Sequence, residues 1–262
     1  MKKSMVSQSR TLSVHKEHEL LMKLEIAGLT NELAQRVIDS GGNELAMKVV
    51  KFIQSSGFEP TISQKRAREI MGRNFFGIEE AIKHFGVNPT RQQLAVLSEI
   101  PFSEAVLEDL KDTHVLVAVF PLSVLEIYGM VGSNLLRKLF SDPSWYNTQS
   151  FAKECGKVNW QLVRKTPVAN SGSKIWKEQL ALLGKDDEVP IAQVMVYTII
   201  GHHLVTGERL FEDTYVRTSS MTSDFDRVCV GRFDLGGLGI RAWSGFDVCR
   251  DYLKLPSARR KF

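Results

Sequence analysis

Over the first hundred residues, apolar side chains recur every three or four positions, which is the period of an amphipathic helix. The first predicted helix ends at Gly28, and the second begins after Thr30, whose hydroxyl can accept a hydrogen bond from the first turn. A third predicted helix begins after Asn43 and ends at Gly57. The pattern therefore predicts an all-helical N-terminal region over residues 1–100.

The second and third predicted helices share one short sequence repeat. Asn31-Glu-Leu-Ala-Gln-Arg-Val-Ile and Asn43-Glu-Leu-Ala-Met-Lys-Val-Val match at an offset of 12 residues. Solenoid repeats are longer than this and need at least about three units to bury a core. The repeat therefore predicts a helical hairpin within a packed helical subdomain.

Beyond about residue 100 the pattern changes to short elements of both kinds. The run Thr113–Phe120 is β-branched and apolar, which predicts a buried strand, and Asn159–Lys165 alternates as a second strand. The segment from Pro190 to Gly207 is apolar on most sides, so it predicts a central helix. Strand-like segments follow at 214–218, 227–233, 239–243 and 252–255. This order predicts an α+β domain over residues 101–262 with a small antiparallel sheet.

Composition describes a globular chain and excludes several other classes. Hydrophobic residues make up 43% and charged residues 24%, which excludes a disordered or collagen-like chain. The three cysteines, Cys155, Cys229 and Cys249, cannot all pair and have no CxxC spacing, so we expect a reducing compartment. The formal charge of +4 is nearly balanced and favours neither nucleic acid nor a membrane surface.

The sequence also indicates where the protein is located and which kinds of chemistry it lacks. The N-terminus lacks the apolar stretch of a secretory signal, and the longest apolar run, Val115–Leu125, is about half a membrane span. We therefore expect a cytoplasmic protein with no membrane span, although a partner can still display it on a surface.

His202 and His203 point about 100° apart on a helix, unlike metal-binding pairs. We expect no metal, no cofactor, no catalytic residues and no enzymatic activity.

The C-terminal part of the chain carries a resemblance. Within residues 145–183, a predicted helix is followed by Gly156, by Trp160-Gln-Leu and by a second helix. Together with closing strands that contain Trp243, this order is similar to C-type-lectin-like domains over roughly residues 113–262. The resemblance implies a C-type-lectin-like scaffold. The chain has no Glu-Pro-Asn calcium loop, which argues against calcium-dependent sugar binding. The whole chain also resembles a group of uncharacterised bacterial proteins.

The stretch from Thr222 to Leu253 almost excludes five residue types. Lys, Glu, Gln, Met and Trp account for 58 of the 262 residues, yet among these 32 positions only Trp243 occurs. Charge itself is tolerated, because the stretch holds four Arg and five Asp. Codons that end in a pyrimidine encode the types that remain. The pattern resembles the variable region of a diversity-generating retroelement target protein, whose variable residues lie on a C-type-lectin-like scaffold; a plain sheet of chance composition is the alternative.

A variable region implies that the function is recognition of an unknown protein or cell-surface ligand. Exposed positions then need a rigid scaffold beneath them, so that their replacement costs little stability. We predict that the fixed, inward side chains are Phe233, Leu238, Ile240, Leu253 and Leu255. The predicted ligand-binding residues are Arg232, Leu235, Arg241, Ala242, Ser244, Phe246, Asp247, Val248, Asp251 and Tyr252.

Residues 79–97 support a second class of function. They resemble a helix-turn-helix, with Gly86 at the turn and Thr90 at the start of a recognition helix. The side chains expected to meet base edges are Arg91, Gln92 and Gln93. This alternative, a DNA-binding regulator, predicts a basic face between Arg66 and Arg91.

Overall fold

The computed structural model describes residues 12–54, 57–137, 145–243 and 249–260. The helices are α1 Val14–Ile26, α2 Asn31–Ile38, α3 Glu44–Gln54, α4 Ile62–Met71, α5 Ile78–Phe85, α6 Arg91–Val96, α7 Glu104–Leu110, α8 Val124–Val131, α9 Ser150–Lys153, α10 Trp176–Leu180 and α11 Ala192–Thr206. The strands are β1 Phe75–Phe76, β2 His114–Val119, β3 Asn159–Arg164, β4 Asp187–Glu188, β5 Tyr215–Met221, β6 Arg227–Asp234, β7 Gly237–Trp243, β8 Leu253–Lys254 and β9 Ala258–Arg259.

Packing divides the chain into two compact units, one ending at Gly57 and one spanning Phe58–Phe262. This division lies earlier than the boundary expected near residue 100. The physical reason is that residues 58–100 pack against the sheet formed by later strands. Strand β1 pairs with β2, and the Leu97 carbonyl accepts a hydrogen bond from Trp160 Nε1 at 2.9 Å.

The first unit contains the predicted helices. Thr30 caps α2 as expected, because its Oγ1 accepts a hydrogen bond from the Leu33 backbone at 3.3 Å. Before α3 this role belongs to Ser40 rather than Asn43, since Ser40 Oγ accepts from the Leu45 N–H at 3.3 Å. No described side chain of this unit is buried. The packed helical subdomain therefore stays a prediction, because the described helices of this unit show apolar side chains but none that is buried within it.

The second unit is built on a five-stranded sheet in the order β1-β2-β3-β9-β4. Strand β2 is buried along its whole length, and β3 pairs with it antiparallel, so both predicted strands are confirmed. Helix α11 is also confirmed as the central helix, since its residues from Ala192 to His202 are all buried. The helices predicted on either side of β3 are present but short, as α9 and α10.

A second sheet has the order β7-β6-β5-β8. One of its faces joins the main core through side chains such as Val216, Val230 and Ile240, all with 0% exposure. The predicted α+β class is confirmed. The sheets are mixed rather than purely antiparallel, because β1 runs parallel to β2 and β8 runs parallel to β5. No helix in the described part of the chain is long and apolar enough to span a bilayer.

All five side chains predicted as the fixed, inward set are buried. Phe233, Leu238 and Ile240 belong to the main core, as expected. Leu253 is equally buried but lies in a small cluster with Tyr215 and Cys229 on the other side of the second sheet. The prediction that these five side chains are buried is therefore confirmed, while the side of the sheet that buries each one depends on the tertiary structure.

Buried His114 makes stability depend on pH. It is 6% exposed on β2, and burial, Arg164 and Arg259 lower its pKa from 6.5 to about 4. The unfolded chain therefore binds this proton more readily, and unfolding free energy should fall by about 3 kcal/mol as pH drops from 6.5 to 4. Urea titrations at several pH values should show this loss, and the His114→Gln variant should show a smaller one. If the unfolding free energy of both proteins fell equally with decreasing pH, the pH dependence could not be assigned to His114.

Candidate recognition surface

The second sheet turns one face away from the main core, which we call the outer face. Because strand side chains alternate, this face carries Tyr215, Arg217, Arg227, Cys229, Arg241, Trp243 and Leu253. Arg217 lies opposite Cys229, and Cys229 opposite Arg241, so two arginines stand in one cross-strand row. In a neighbouring row Arg227 lies opposite Trp243. The sheet thus gathers arginine and aromatic side chains on one side.

Trp243 is the centre of an aromatic cluster on the outer face. Its ring lies 5.1 Å from that of Tyr215 and 6.2 Å from that of Tyr252, measured between centroids. Arg241 Nε donates a hydrogen bond to the Tyr215 hydroxyl at 3.1 Å. Tyr252 is 41% exposed, whereas Tyr215 is almost fully buried. Two predicted ligand-binding residues, Arg241 and Tyr252, are therefore brought together beside a tryptophan.

Arg227 forms a second contact between an arginine and an aromatic ring. Its guanidinium carbon lies 3.8 Å from the ring centroid of Trp176, the first residue of α10. A guanidinium at this distance from an indole is held by cation–π attraction. Arg227 also donates a hydrogen bond to the Thr218 carbonyl at 3.1 Å. These two contacts fix the side chain across the end of the sheet.

Arg217 anchors the segment that covers part of the outer face. Its guanidinium is 3% exposed and donates hydrogen bonds to the Lys174 carbonyl at 3.0 Å and to Gln179 Oε1 at 2.8 Å. Gln179, itself fully buried, donates to the carbonyls of Ser171 and Leu253 at 2.6 and 2.9 Å. Burial lowers the pKa of Arg217, but a guanidinium stays charged at neutral pH. The chain thus buries a cation beneath this surface.

Two arginines of the outer face have no carboxylate partner among the described residues. There, Arg227 and Arg241 contact aromatic rings and neutral oxygens, and neither forms an ion pair with a carboxylate. Burial raises the pKa of the Cys229 thiol to about 12, so this group stays neutral and does not offset the arginines. By contrast, Arg68 elsewhere in this unit pairs with two glutamates. An anionic group would therefore be attracted to the outer face.

The remaining predicted ligand-binding residues are dispersed. Arg232 and Leu235 are exposed near the turn end of the β6–β7 hairpin, and Arg232 lies about 10 Å along the strands from Arg241 at a rise of about 3.3 Å per residue, with Leu235 farther away. Ala242 points to the opposite side of β7 from its two neighbours, because it pairs with buried Val228. Four others lie outside the described residues: Ser244, Phe246, Asp247 and Val248.

Asp251 lines an open groove next to Tyr252. The groove has a volume of about 580 Å³ and runs between the segment 167–174 and the residues Asp251 and Lys254. A side chain at Gly172 would place its Cβ 2.6 Å from the Asp251 carbonyl oxygen, so only glycine allows this close approach. The groove extends the exposed surface beyond Tyr252 with one acidic and two basic side chains.

Residues 79–97, which resemble a helix-turn-helix in sequence, contain α5 and α6 with a turn between them. Gly86 has a φ of 59° at the turn, and Thr90 Oγ1 caps α6 by accepting from the Gln93 N–H at 3.2 Å. Helix α6 ends at Val96 after six residues. The Gln93 side chain accepts a hydrogen bond from the Thr90 N–H at 2.9 Å, which occupies one of the three expected base-reading groups.

The basic face expected between Arg66 and Arg91 is partly neutralised. Arg66 pairs with Glu69 at 3.1 Å and with Glu104 at 3.0 Å. Arg68 pairs with both glutamates at the start of α5. Two of the arginines that would attract phosphates are therefore already matched by carboxylates, which weakens the electrostatic basis of DNA binding.

The histidine pair of α11 has partners within the protein. His202 is 1% exposed, and its Nε2 lies 3.2 Å from Glu208 Oε2. Burial lowers the pKa of His202, with the hydrogen bond to Glu208 acting in the opposite direction. The His203 ring packs on Phe233 at 4.9 Å between centroids. Among the residues that the structure describes, no three His, Cys, Asp or Glu side chains are grouped as metal ligands.

Of the seven outer-face residues, only Arg241 was in the predicted ligand-binding set, and Trp243 at the centre of the aromatic cluster was not. Arg217 and Arg227 stand at alternating positions of predicted strands. The two-residue alternation of strand side chains could therefore have placed each of them on one face of the sheet. Trp176 lies in a helix far away in sequence, and only its contact with Arg227 brings it to this surface. No protein-family model, no curated protein and no solved structure matches the chain, so inference about function rests on the outer face itself.

Proposed function

We propose that this chain is a binding protein whose recognition surface is the outer face around Arg241, Trp243 and Tyr252. The observation that carries the proposal is the cross-strand arrangement of arginine and aromatic side chains, in which Arg227 and Arg241 have no ion-pair partner among the described residues. Arg, Tyr and Trp dominate the binding energy of protein interfaces. An acidic group on a protein or at a cell surface has the chemistry that fits. The proposal includes no catalytic step and no cofactor.

The scaffold beneath the surface suits this role. Strands β5, β6 and β7 bury their other face in the main core through fully buried side chains such as Val216, Val230 and Ile240. A sheet held in this way keeps outer-face groups in place before a ligand arrives, which lowers the entropic cost of binding. Replacing an exposed outer-face side chain should therefore change affinity much more than stability.

We further propose that residues 222–253 are a variable region of the retroelement type on a C-type-lectin-like scaffold. A variable region requires buried positions that stay constant and exposed positions that tolerate change. The five residues predicted as constant are fully buried, whereas Arg232, Leu235, Asp251 and Tyr252 are exposed. This division supports the proposal, which rests on the composition of the stretch and on the resemblance stated from sequence.

The recognition proposal predicts a loss of binding without a loss of fold. A phage-displayed random peptide library, panned on the immobilised protein, should yield peptides enriched in Asp and Glu. The double variant Arg241→Ala, Tyr252→Ala should bind these peptides at least about 30-fold more weakly, since hot-spot truncations cost about 2 kcal/mol or more. Its melting temperature should change by less than about 4 °C, because Tyr252 is exposed and Arg241 half-buried.

Arg91→Ala is the matched control, since Arg91 is an exposed arginine on α6, away from the second sheet. Peptide binding by this control should equal that of the unmodified protein. Equal binding by the double variant would remove the outer face from the proposal. Retention of duplex DNA at low salt that disappears only in Arg91→Ala would instead favour the helix-turn-helix alternative.

A further inference from the structure

The described helices of the first unit expose an unusual amount of apolar surface. Of the 23 large hydrophobic side chains exposed in the described chain, 13 lie between Leu12 and Ile53. Together they present on the order of 1,000 Å² of apolar surface, whereas the largest apolar patch of a typical monomer is about 300–600 Å². Water contact with so much apolar surface is unfavourable, so we infer that another surface covers it.

These side chains form stripes rather than a random scatter. On α2, Leu33 and Ile38 are 43% and 71% exposed, and on α3, Val49, Val50 and Ile53 are 45%, 52% and 61% exposed. On α3, Val49, Val50 and Ile53 lie within about 100° of one another, whereas Leu33 and Ile38 lie about 140° apart, at the two edges of the apolar face of α2. The repeat gives α2 and α3 apolar residues at corresponding positions, and of the corresponding pairs Ile38 and Val50 are both exposed, at 71% and 52%.

We propose that α2 and α3, with α1, dock against the same helices of a second copy of this chain. A two-fold interface, in which α2 of one copy meets α3 of the other, would cover the exposed apolar side chains of both helices with one contact made twice. The exposed apolar surface also matches the roughly 800 Å² per partner that a stable interface buries. The resulting bundle of amphipathic helices would cover the stripes that the single unit leaves in water.

Charge favours a second copy over other occupants. Residues 12–54 hold five Lys and Arg against six Asp and Glu, which gives a formal charge of −1. Helices that lie on membranes are rich in Lys and Arg on their polar face, and nucleic-acid surfaces require a basic excess. A nearly neutral helix set with mixed signs meets a copy of itself without strong repulsion.

This inference goes beyond the proposed function and does not depend on it. Where both hold, each particle carries two outer faces. Two weak contacts made by one particle give an avidity above either affinity when both can engage at once. Pairing through the first unit would therefore strengthen recognition by the second.

The mass of the full chain in solution tests the proposal. Light scattering coupled to gel filtration should give twice the 29.5 kDa chain mass at micromolar concentration. The variant Ile38→Lys, Val50→Lys should give the single-chain mass, with a dissociation constant raised at least about 100-fold by two buried charges. The control Ile62→Lys should remain paired, because Ile62 is 86% exposed but lies on α4 of the second unit.

A single-chain mass for the unmodified protein at every concentration would overturn the proposal, and so would pairing that survives the double substitution. Hydrogen exchange of the unmodified protein guards against a variant that merely misfolds. Exchange in α2 and α3 should slow as concentration rises, while exchange in α11 should not change. Exchange in α2 and α3 that is independent of concentration would also overturn it.

Discussion

The Gly231→Ala protein should lose about 3 kcal/mol or more of unfolding free energy, because Gly231 allows β5 and β6 to approach each other closely. Gly231 has a φ of +148°, which L side chains rarely adopt. A Cβ at this position would lie 2.1 Å from the Thr214 carbonyl oxygen and 2.9 Å from Tyr215 Cα. Both are backbone atoms of the neighbouring chain segment, so no rotamer change relieves the clash and the strands must separate.

Urea unfolding monitored by circular dichroism measures this loss, and Gly129→Ala is the control. Gly129 is exposed in α8, and a Cβ there meets no atom within 4 Å. Alanine in a helix interior is more stable than glycine by about 0.5–1 kcal/mol, so this variant should gain stability. An unchanged urea midpoint for Gly231→Ala would show that the close approach of β5 and β6 is not required.

Two truncated chains should behave very differently. Residues 58–262 should unfold in one cooperative transition, because the second compact unit begins at Phe58. Residues 101–262, the domain expected from sequence, should show no such transition. That fragment lacks β1 and the buried side chains of the preceding segment, which include Phe75, Phe76 and Phe85 at 4% exposure or less.

The expected effect is larger than the whole stability of an ordinary domain. Each large apolar side chain contributes about 1.5–3 kcal/mol when buried, and domains are stable by only about 5–15 kcal/mol. Loss of the segment also exposes an edge of β2 and removes the Leu97 carbonyl that accepts from Trp160 Nε1. Thermal melts followed by near-ultraviolet circular dichroism compare the two fragments. If residues 101–262 melted cooperatively at the same temperature as residues 58–262, the domain boundary would lie near residue 100, as expected from sequence.

Local pattern determined several elements of this protein from sequence. The runs that became β2 and β3 were identified by β-branched or alternating residues, and α11 by apolar residues on most sides. The caps at Thr30 and Thr90 were identified as well, because a hydroxyl before a helical stretch satisfies N–H groups of its own first turn. Such features depend on neighbours a few residues away, so the sequence alone is sufficient for them.

The sequence predicted the candidate site only in part. Alternation along β7 separates core-facing Ile240 from outer-face Arg241, whereas Phe233 reaches the core only because the pairing of β6 shifts after Gly231. It could not show that Trp176 stacks on Arg227, because these residues come from separate elements. Nor could it show that Ala242 points toward the core, since alternation defines two faces without saying which of them is covered.

Tertiary structure alone decided the division at Gly57, the burial of Arg217 beneath α10 and the exposure of the apolar stripes on α2 and α3. The sequence determined which side chains share a face of each helix or strand, because backbone geometry sets that period within a few residues. Whether a face meets protein or water depends on elements distant in the chain. For this reason the sequence predicted the amphipathic helices but not which of their faces are buried.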